Sequence, residues 1–264
     1  MPELPEIESL SRQLAKHVVG DSITNVSTRQ PRALNLPVEE FEDRVAGTIS
    51  SVGRVGKSMT LQVPEGSIWL HLGVGGQVLL SKADDAPRGA VIRLDLASGQ
   101  ALTMQQIFMG HAHFHPREEA ERLIASFGVD PLSKEFTVDF LTELFARKKK
   151  QTVKTLLMDQ KLIAGIGNSY SDEVLFAAGI HPMRPAAELT PEEVEQLRQS
   201  TVEVLERAAS LGGDNEYTDL FGVRGRSGTA IHSQERCARC GSPVTQIRAG
   251  GRTTYFCPSC QPAP

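Results

Sequence analysis

Four cysteines constrain this chain more tightly than any other feature of its sequence. They fall near the carboxy terminus as Cys237-x2-Cys240 and, after a gap of sixteen residues, Cys257-x2-Cys260. Thiolates in two such pairs suit tetrahedral Zn2+ in a closed structural site. Two disulfides are the alternative, but a chain of 264 residues without a secretory signal argues against them. Four cysteine ligands leave the metal no open position, so one zinc ion is expected to hold structure rather than do chemistry. Between the pairs, Val244, Thr245, Ile247 and then Thr253, Thr254, Tyr255, Phe256 predict a β-hairpin turning at Ala249-Gly250-Gly251, with Arg252 just beyond.

The charge balance is less plain. A net charge of −4 and a pI near 6.0 argue weakly against a nucleic-acid partner. From Gly222 onward, however, six arginines face a single acid, Glu235. A second basic cluster, Arg147-Lys148-Lys149-Lys150, leads to Lys154 and Lys161; alone it reads equally well as a solvated charge run. A protein that touches DNA on one face needs only a local basic footprint. No apolar run approaches the eighteen residues of a membrane span, which leaves the cytoplasm as the expected compartment.

Periodicity divides the rest. Ile7, Leu10, Leu14 and Val18 fall at helical spacing. Short β-branched runs follow (Ile23–Val26, Ile49–Val52, Met59–Val63, Ile68–Leu72, Val78–Leu80, Val91–Leu94), separated by turn residues, and predict an antiparallel sandwich or barrel-like domain. Beyond Arg117 the pattern turns helical, over 118–127, 137–146, 152–157, 169–178 and 191–211. Thr190-Pro191-Glu192-Glu193 makes a strong helix start. The expected class is α+β in three segments: a sandwich over 1–116, a helical domain over 117–222 and a zinc hairpin over 223–264.

Two further stretches carry chemistry. The chain opens Met1-Pro2-Glu3-Leu4-Pro5-Glu6. Removal of Met1 would leave Pro2 with a free secondary amine, and an α-amino group of pKa about 7.7–8.0 is partly nucleophilic at neutral pH. Such an amine can form an iminium, with Glu3 and Glu6 near enough to move protons. Those letters alone read more readily as a polar cap before a helix. In the middle, Lys161-Leu162-Ile163-Ala164-Gly165-Ile166-Gly167-Asn168 joins two helices. Its backbone N–H groups and Asn168 suit an anion such as phosphate, although a plain helix connection has the same look.

The opening Pro-Glu-Leu-Pro-Glu, the Gly-Lys at Lys57, the Lys-x-x-x-Gly-x-Gly-Asn turn and the terminal four-cysteine hairpin stand in that order. Together they resemble the formamidopyrimidine-DNA glycosylase and endonuclease VIII family of base-excision repair enzymes, across essentially the whole chain. The resemblance implies a monomer with a β-sandwich lobe, a helix–two-turn–helix lobe carrying the zinc finger, and damaged double-stranded DNA lying in the cleft between them. It implies a bifunctional glycosylase and abasic-site lyase. Pro2 would attack C1′, Glu3 would act as acid and base near the sugar, and Glu6 would assist. Lys57 would meet phosphate or help the elimination, and Lys154, Lys161, Asn168 and Arg252 would hold the backbone. When acting, such an enzyme sits on the bacterial nucleoid.

Three departures from that pattern stand out. His71-Leu72-Gly73-Val74-Gly75-Gly76 offers Val74 where the family has a methionine that fills the space of the extruded base. Gln105-Gln106-Ile107-Phe108-Met109-Gly110 lacks the two arginines and the aromatic at its usual place, leaving Ile107, Phe108 or Met109 as an apolar wedge. The segment from Gly213 to Cys237 is short. A catalytically weakened binder of damaged or abasic DNA, or a glycosylase for bulky lesions or for single-stranded or bubble DNA, is therefore the alternative.

Overall fold

The computed structural model describes residues 1–263. Packing gathers them into two compact units: Met1–Ser126 with Ala209–Arg226, and Phe127–Ala208 with the chain from Ser227 onward. This differs from the three expected segments, because the helical region and the zinc hairpin share one unit, while residues 209–226 return to the first. None of the helices among the described residues is long and apolar enough to cross a membrane.

The first unit opens with helix α1 (Leu4–Val18), whose apolar positions Ile7, Leu10, Leu14 and Val18 are buried. Glu6 reaches back to accept the Glu3 backbone N–H at 2.8 Å, and Pro5 suits the first turn because it has no N–H to leave unpaired. Nine strands follow: β1 (Ser22–Thr28), β2 (Gly47–Thr48), β3 (Ser51–Val55), β4 (Ser58–Val63), β5 (Gly66–His71), β6 (Gln77–Lys82), β7 (Ile92–Leu96), β8 (Gln100–Gln105) and β9 (His111–Pro116). They build two antiparallel sheets, ordered β2-β1-β7-β8-β6 and β3-β4-β5-β9. One apolar core, including Ile7, Leu14, Phe41, Leu61, Leu70, Leu94 and Leu102, packs between them, the sandwich expected from the sequence.

Two details depart from the sequence reading. The run expected over Ile49–Val52 is broken, because Gly47–Thr48 pairs with β1 in one sheet while Ser51 begins an edge strand of the other. Helix α2 (Val38–Val45) was not expected, although Val38, Phe41 and Val45 fall at helical spacing and Phe41 and Val45 are buried. Helix α3 (Arg117–Ser126) closes this part of the unit.

The returning segment wraps the head of α1. The Asp214 N–H donates to Glu6 at 2.9 Å, and Gln13 accepts the Leu220 N–H at 3.1 Å. Leu220 is buried in the sandwich core, and its carbonyl accepts the Leu80 N–H at 2.9 Å. Gly213 has φ +82°, and a Cβ there would lie 2.6 Å from the Glu6 side chain, so only glycine fits without displacing that carboxylate.

The second unit holds α4 (Val138–Arg147), α5 (Val153–Met158), α6 (Asn168–Ala178) and most of α7 (Pro191–Ser210). Thr190 and Glu193 cap α7 reciprocally: Thr190 N–H donates to the Glu193 carboxylate at 2.8 Å and Glu193 N–H to the Thr190 hydroxyl at 3.3 Å. Strands β10 (Thr245–Ala249) and β11 (Arg252–Phe256) form the hairpin, and Gly250 and Gly251 supply the two positive φ angles of its turn.

Candidate active site

In the first unit, Pro2 and Glu3 are buried at the mouth of α1. Both Glu6 oxygens are engaged, one by the Glu3 N–H and one by the Asp214 N–H, so this carboxylate fixes the helix entry to the returning segment. The Met1 amino group donates to the Tyr217 hydroxyl at 2.7 Å. Sequence reasoning gave no sign of Tyr217, which lies 216 residues away along the chain. Burial, then the nearby carboxylates of Glu6, Glu216, Glu3 and Asp214, push its phenol pKa well above the ordinary value.

One turn along α1, Glu8 accepts from Arg54 at 2.9 Å and from Arg12 at 2.7 Å. Burial alone would raise the Glu8 pKa, but the two guanidiniums hold it low. Arg54 also donates to the Gly56 carbonyl at 3.1 Å, bracing the β3–β4 turn that carries Lys57. Beside that turn His71 begins a row of imidazoles: His71 and His111 stack at 5.2 Å between centroids, and His111 and His113 at 3.9 Å. His71 is pushed down to about 4 by burial, then by His111 and Lys57; His113 falls to about 4 by burial and its His111, His115 and His71 neighbours. The row is therefore neutral near pH 7. Cross-strand pairing of β5 with β9 places these side chains together, a register that single-strand patterns do not reveal.

The Val74 N–H donates to the Phe108 carbonyl at 2.8 Å and pins two loops together. A Cβ on Gly73 would come within 2.1 Å of that carbonyl oxygen, which is why glycine precedes Val74. Val74, Phe108 and Met109 protrude, being 45%, 69% and 71% exposed. Ile107 does not. At 5% exposure it belongs to the sandwich core, and the expectation that it serves as a wedge is corrected. A groove of about 700 Å³ runs beside this loop, lined by Gln30, Arg32, Gln106, His111 and His113 among others.

In the second unit, residues 159–167 form the two turns between α5 and α6. The Gln160 amide staples them, accepting the Gly165 N–H at 2.8 Å and donating to the Ile166 carbonyl at 2.7 Å. Lys161 stands exposed on the first turn, and Asn168 opens α6. The Asn168 amide donates to the Thr253 carbonyl at 2.9 Å, which ties the helix start to β11 next to the exposed Arg252. Lys161, Asn168 and Arg252 thus belong to one unit.

Lys154 is a correction. It is fully buried, its ammonium paired with Asp172 and within 3.1 Å of the Ser171 hydroxyl, so it does not face a nucleic-acid backbone. The other Asp172 oxygen accepts from His232 at 2.7 Å and from the Tyr255 N–H at 3.1 Å. Glu173 accepts three backbone N–H groups, from Ala230, Ile231 and His232; burial raises its pKa against their pull. These acids organise the hairpin against α6. Two adjacent acids after a Gly-Asn turn gave no hint of that role.

All four cysteine sulfurs lie within 4.8 Å of one another, with Cys237 to Cys260 at 3.8 Å and Cys240 to Cys257 at 3.5 Å. Zn–S bonds of about 2.3 Å in a tetrahedron require sulfurs about 3.8 Å apart, so Cys237, Cys240, Cys257 and Cys260 fit one structural zinc ion. Arg239 in the first knuckle lies 4.7 Å from the Phe176 ring centroid and donates to the Phe176 and Ala177 carbonyls at the end of α6.

A β-sandwich whose helix mouth buries an amino-terminal Pro-Glu, and a two-turn helical unit stapled to a zinc hairpin, define a recognisable class of zinc-finger protein. Three family models match in series: the formamidopyrimidine-DNA glycosylase N-terminal domain over 1–107, its H2TH domain over 127–219, and the zinc finger found in FPG and IleRS over 234–263. The formamidopyrimidine-DNA glycosylase of Streptococcus mutans is 35% identical over 273 residues, covering 99% of each chain. That of Chloroflexus aurantiacus is 36% identical over 272 residues, covering 99% of this chain and 98% of that one. Among solved structures, Lactococcus lactis Fpg in complex with abasic-site DNA is similar with TM-score 0.88 and 30% identity, covering 99% of this chain and 100% of that one. The same enzyme with DNA containing N7-benzyl-Fapy-dG is similar with TM-score 0.89 and the same identity and coverage. The chain belongs to the formamidopyrimidine-DNA glycosylase family.

Proposed function

We propose that this protein is a bifunctional DNA glycosylase and abasic-site lyase that removes oxidised or ring-opened bases from double-stranded DNA through the Pro2 amine. It acts as a monomer on chromosomal DNA in the cytoplasm. The observation that carries this reading is the head of α1, where Pro2 is buried beside Glu3 and locked in place by the doubly engaged Glu6. Its Lactococcus lactis relative has been seen on abasic-site DNA and on DNA containing an oxidised pyrimidine, which supports the substrate class.

With Met1 removed, the Pro2 lone pair attacks C1′ of the extruded nucleotide. The N–C1′ bond forms, the glycosidic bond breaks, and its electron pair leaves with the base, which takes up the proton that the Pro2 nitrogen gives up. Ring opening at O4′, with Glu3 supplying the proton, gives the iminium. That cation acidifies the C2′ proton; its removal and cleavage of C3′–O3′ release the 3′ phosphate. Glu6 serves by holding the nucleophile's helix.

Extruding a base costs a few kcal/mol. Cationic contacts to phosphate offset it, and we assign these to Lys57 in the first unit and to Lys161 and Arg252, with Asn168, in the second. Val74, Phe108 and Met109 take the vacated space as an apolar wedge. Zinc, when bound by the four cysteines, keeps Arg252 on a rigid hairpin.

Borohydride trapping on a duplex with a preformed abasic site tests the claim. A covalent adduct is expected from the Met1-free protein and none from Pro2→Gly. Equal trapping by both proteins would sink the proposal.

A further inference from the structure

Met1 marks ground that a substrate must occupy once Pro2 is free. Its carbonyl carbon is bonded to the Pro2 nitrogen, as C1′ is in the covalent intermediate. The Met1 amino nitrogen lies two bonds beyond that carbon, the separation of the far deoxyribose atoms from C1′. That nitrogen is 2.7 Å from the Tyr217 hydroxyl.

Tyr217 is not there by slack. Its carbonyl accepts the Gly225 N–H at 3.0 Å, and the neighbouring Thr218 bridges to Arg224. A Cβ on Gly225 would lie 2.3 Å from the Gly213 carbonyl oxygen, so the two arms of the returning segment close at glycine contact. Burial, and then the negative charges of Glu6, Glu216, Glu3 and Asp214 nearby, keep the phenol protonated. A neutral O–H among carboxylates suits a sugar oxygen and repels no one; a phosphate brought to the same point would meet four negative charges. The departing base is a poorer partner still, because at the iminium stage only the sugar remains on C1′.

We propose that Tyr217 is a catalytic residue that touches substrate, its hydroxyl donating to a deoxyribose oxygen of the nucleotide attached to Pro2. The inference rests on the covalent chemistry proposed above and names a contact made within it. Tyr217 thereby holds the sugar at the angle from which C1′ meets the Pro2 nitrogen.

Tyr217→Phe, compared with the parent chain, tests it, Met1 removal being verified in both by mass spectrometry. Four quantities are read: the borohydride trapping rate on a preformed abasic duplex, base release from a damaged duplex, the Kd for an unreactive tetrahydrofuran duplex, and the melting temperature. One neutral hydrogen bond is expected to slow trapping about threefold to tenfold, with Kd and melting temperature little changed. Unaltered trapping on the abasic duplex overturns the proposal, whether base release is normal or slowed, since a loss confined to base release would place the hydroxyl on the base. Equal loss of trapping and of Kd would also overturn it, by showing a binding contact only. Absence of trapping by the parent chain, or its persistence in Pro2→Gly, is a failure of the lyase reading instead.

Discussion

Replacing Lys154 by methionine leaves Asp172 buried with one oxygen stripped of its cation. Losing one partner of a buried ion pair costs about 3–5 kcal/mol. His232 and the Tyr255 N–H remain on the second oxygen, which places Lys154→Met toward the lower end of that range. At about 4 °C per kcal/mol, a loss of about 3 kcal/mol lowers the melting temperature of the second unit by roughly 12 °C. Adding Asp172→Asn removes the orphaned charge, so the double variant should recover part of the loss, with a coupling energy above about 1.5 kcal/mol. Scanning calorimetry of the four proteins in the cycle supplies these values. The salt dependence of DNA binding, measured below the lowered transition, should keep its slope, whereas a lysine on phosphate would reduce it by about one. A drop of less than 1 kcal/mol, additive single changes, or a flatter salt slope would each refute the buried-clamp account.

Phe108→Ala and Met109→Ala should each change stability by less than about 0.5 kcal/mol, because both side chains are exposed, while slowing base release. Ile107→Ala should instead cost about 2–5 kcal/mol in denaturant melts, as a core truncation does. His71 and His113 have folded pKa values of about 4 against an ordinary 6.5. The unfolded chain therefore binds more protons between those values; stability is complete above pH 6.5 and falls as pH drops toward 4. Chemical denaturation across that window should flatten in His113→Phe, and a slope identical to the parent's would contradict the buried-row reading. Removing zinc with a chelator should release the amide-exchange protection of residues 245–256 and weaken DNA binding, leaving protection in the sandwich strands intact.

Local chemistry was legible in the sequence, and long-range geometry was not. The cysteine spacing yielded the hairpin, its turn and its metal, because each depends on residues close in the chain. Periodicity placed the helices of the second unit within about a residue or two, and α1 with its start three residues late. Helix α2 had its apolar spacing but sat inside a strand-rich stretch. Strand β9, His-Ala-His-Phe-His-Pro, lacked β-branched residues, so its alternation went unread. Lys154 illustrates a harder case: a lysine in a basic stretch reads as a surface cation, and only the fold reveals Asp172, about one turn into the next helix, as the acid that pairs with it. Tyr217 and the return of residues 209–226 depended on contacts across two hundred positions, for which a single chain offers no signal.

That return has a consequence for the order in which the molecule becomes competent. Residues 127–208 are inserted within the first unit, and Leu220, which fills its core, is translated long after the amine at the head of α1. A ribosome-bound chain ending near Ser126 would leave the head of α1 without the Asp214 N–H that engages Glu6. The helical insert is thus synthesised before the sandwich can close, and the sites of both units mature at nearly the same moment of translation.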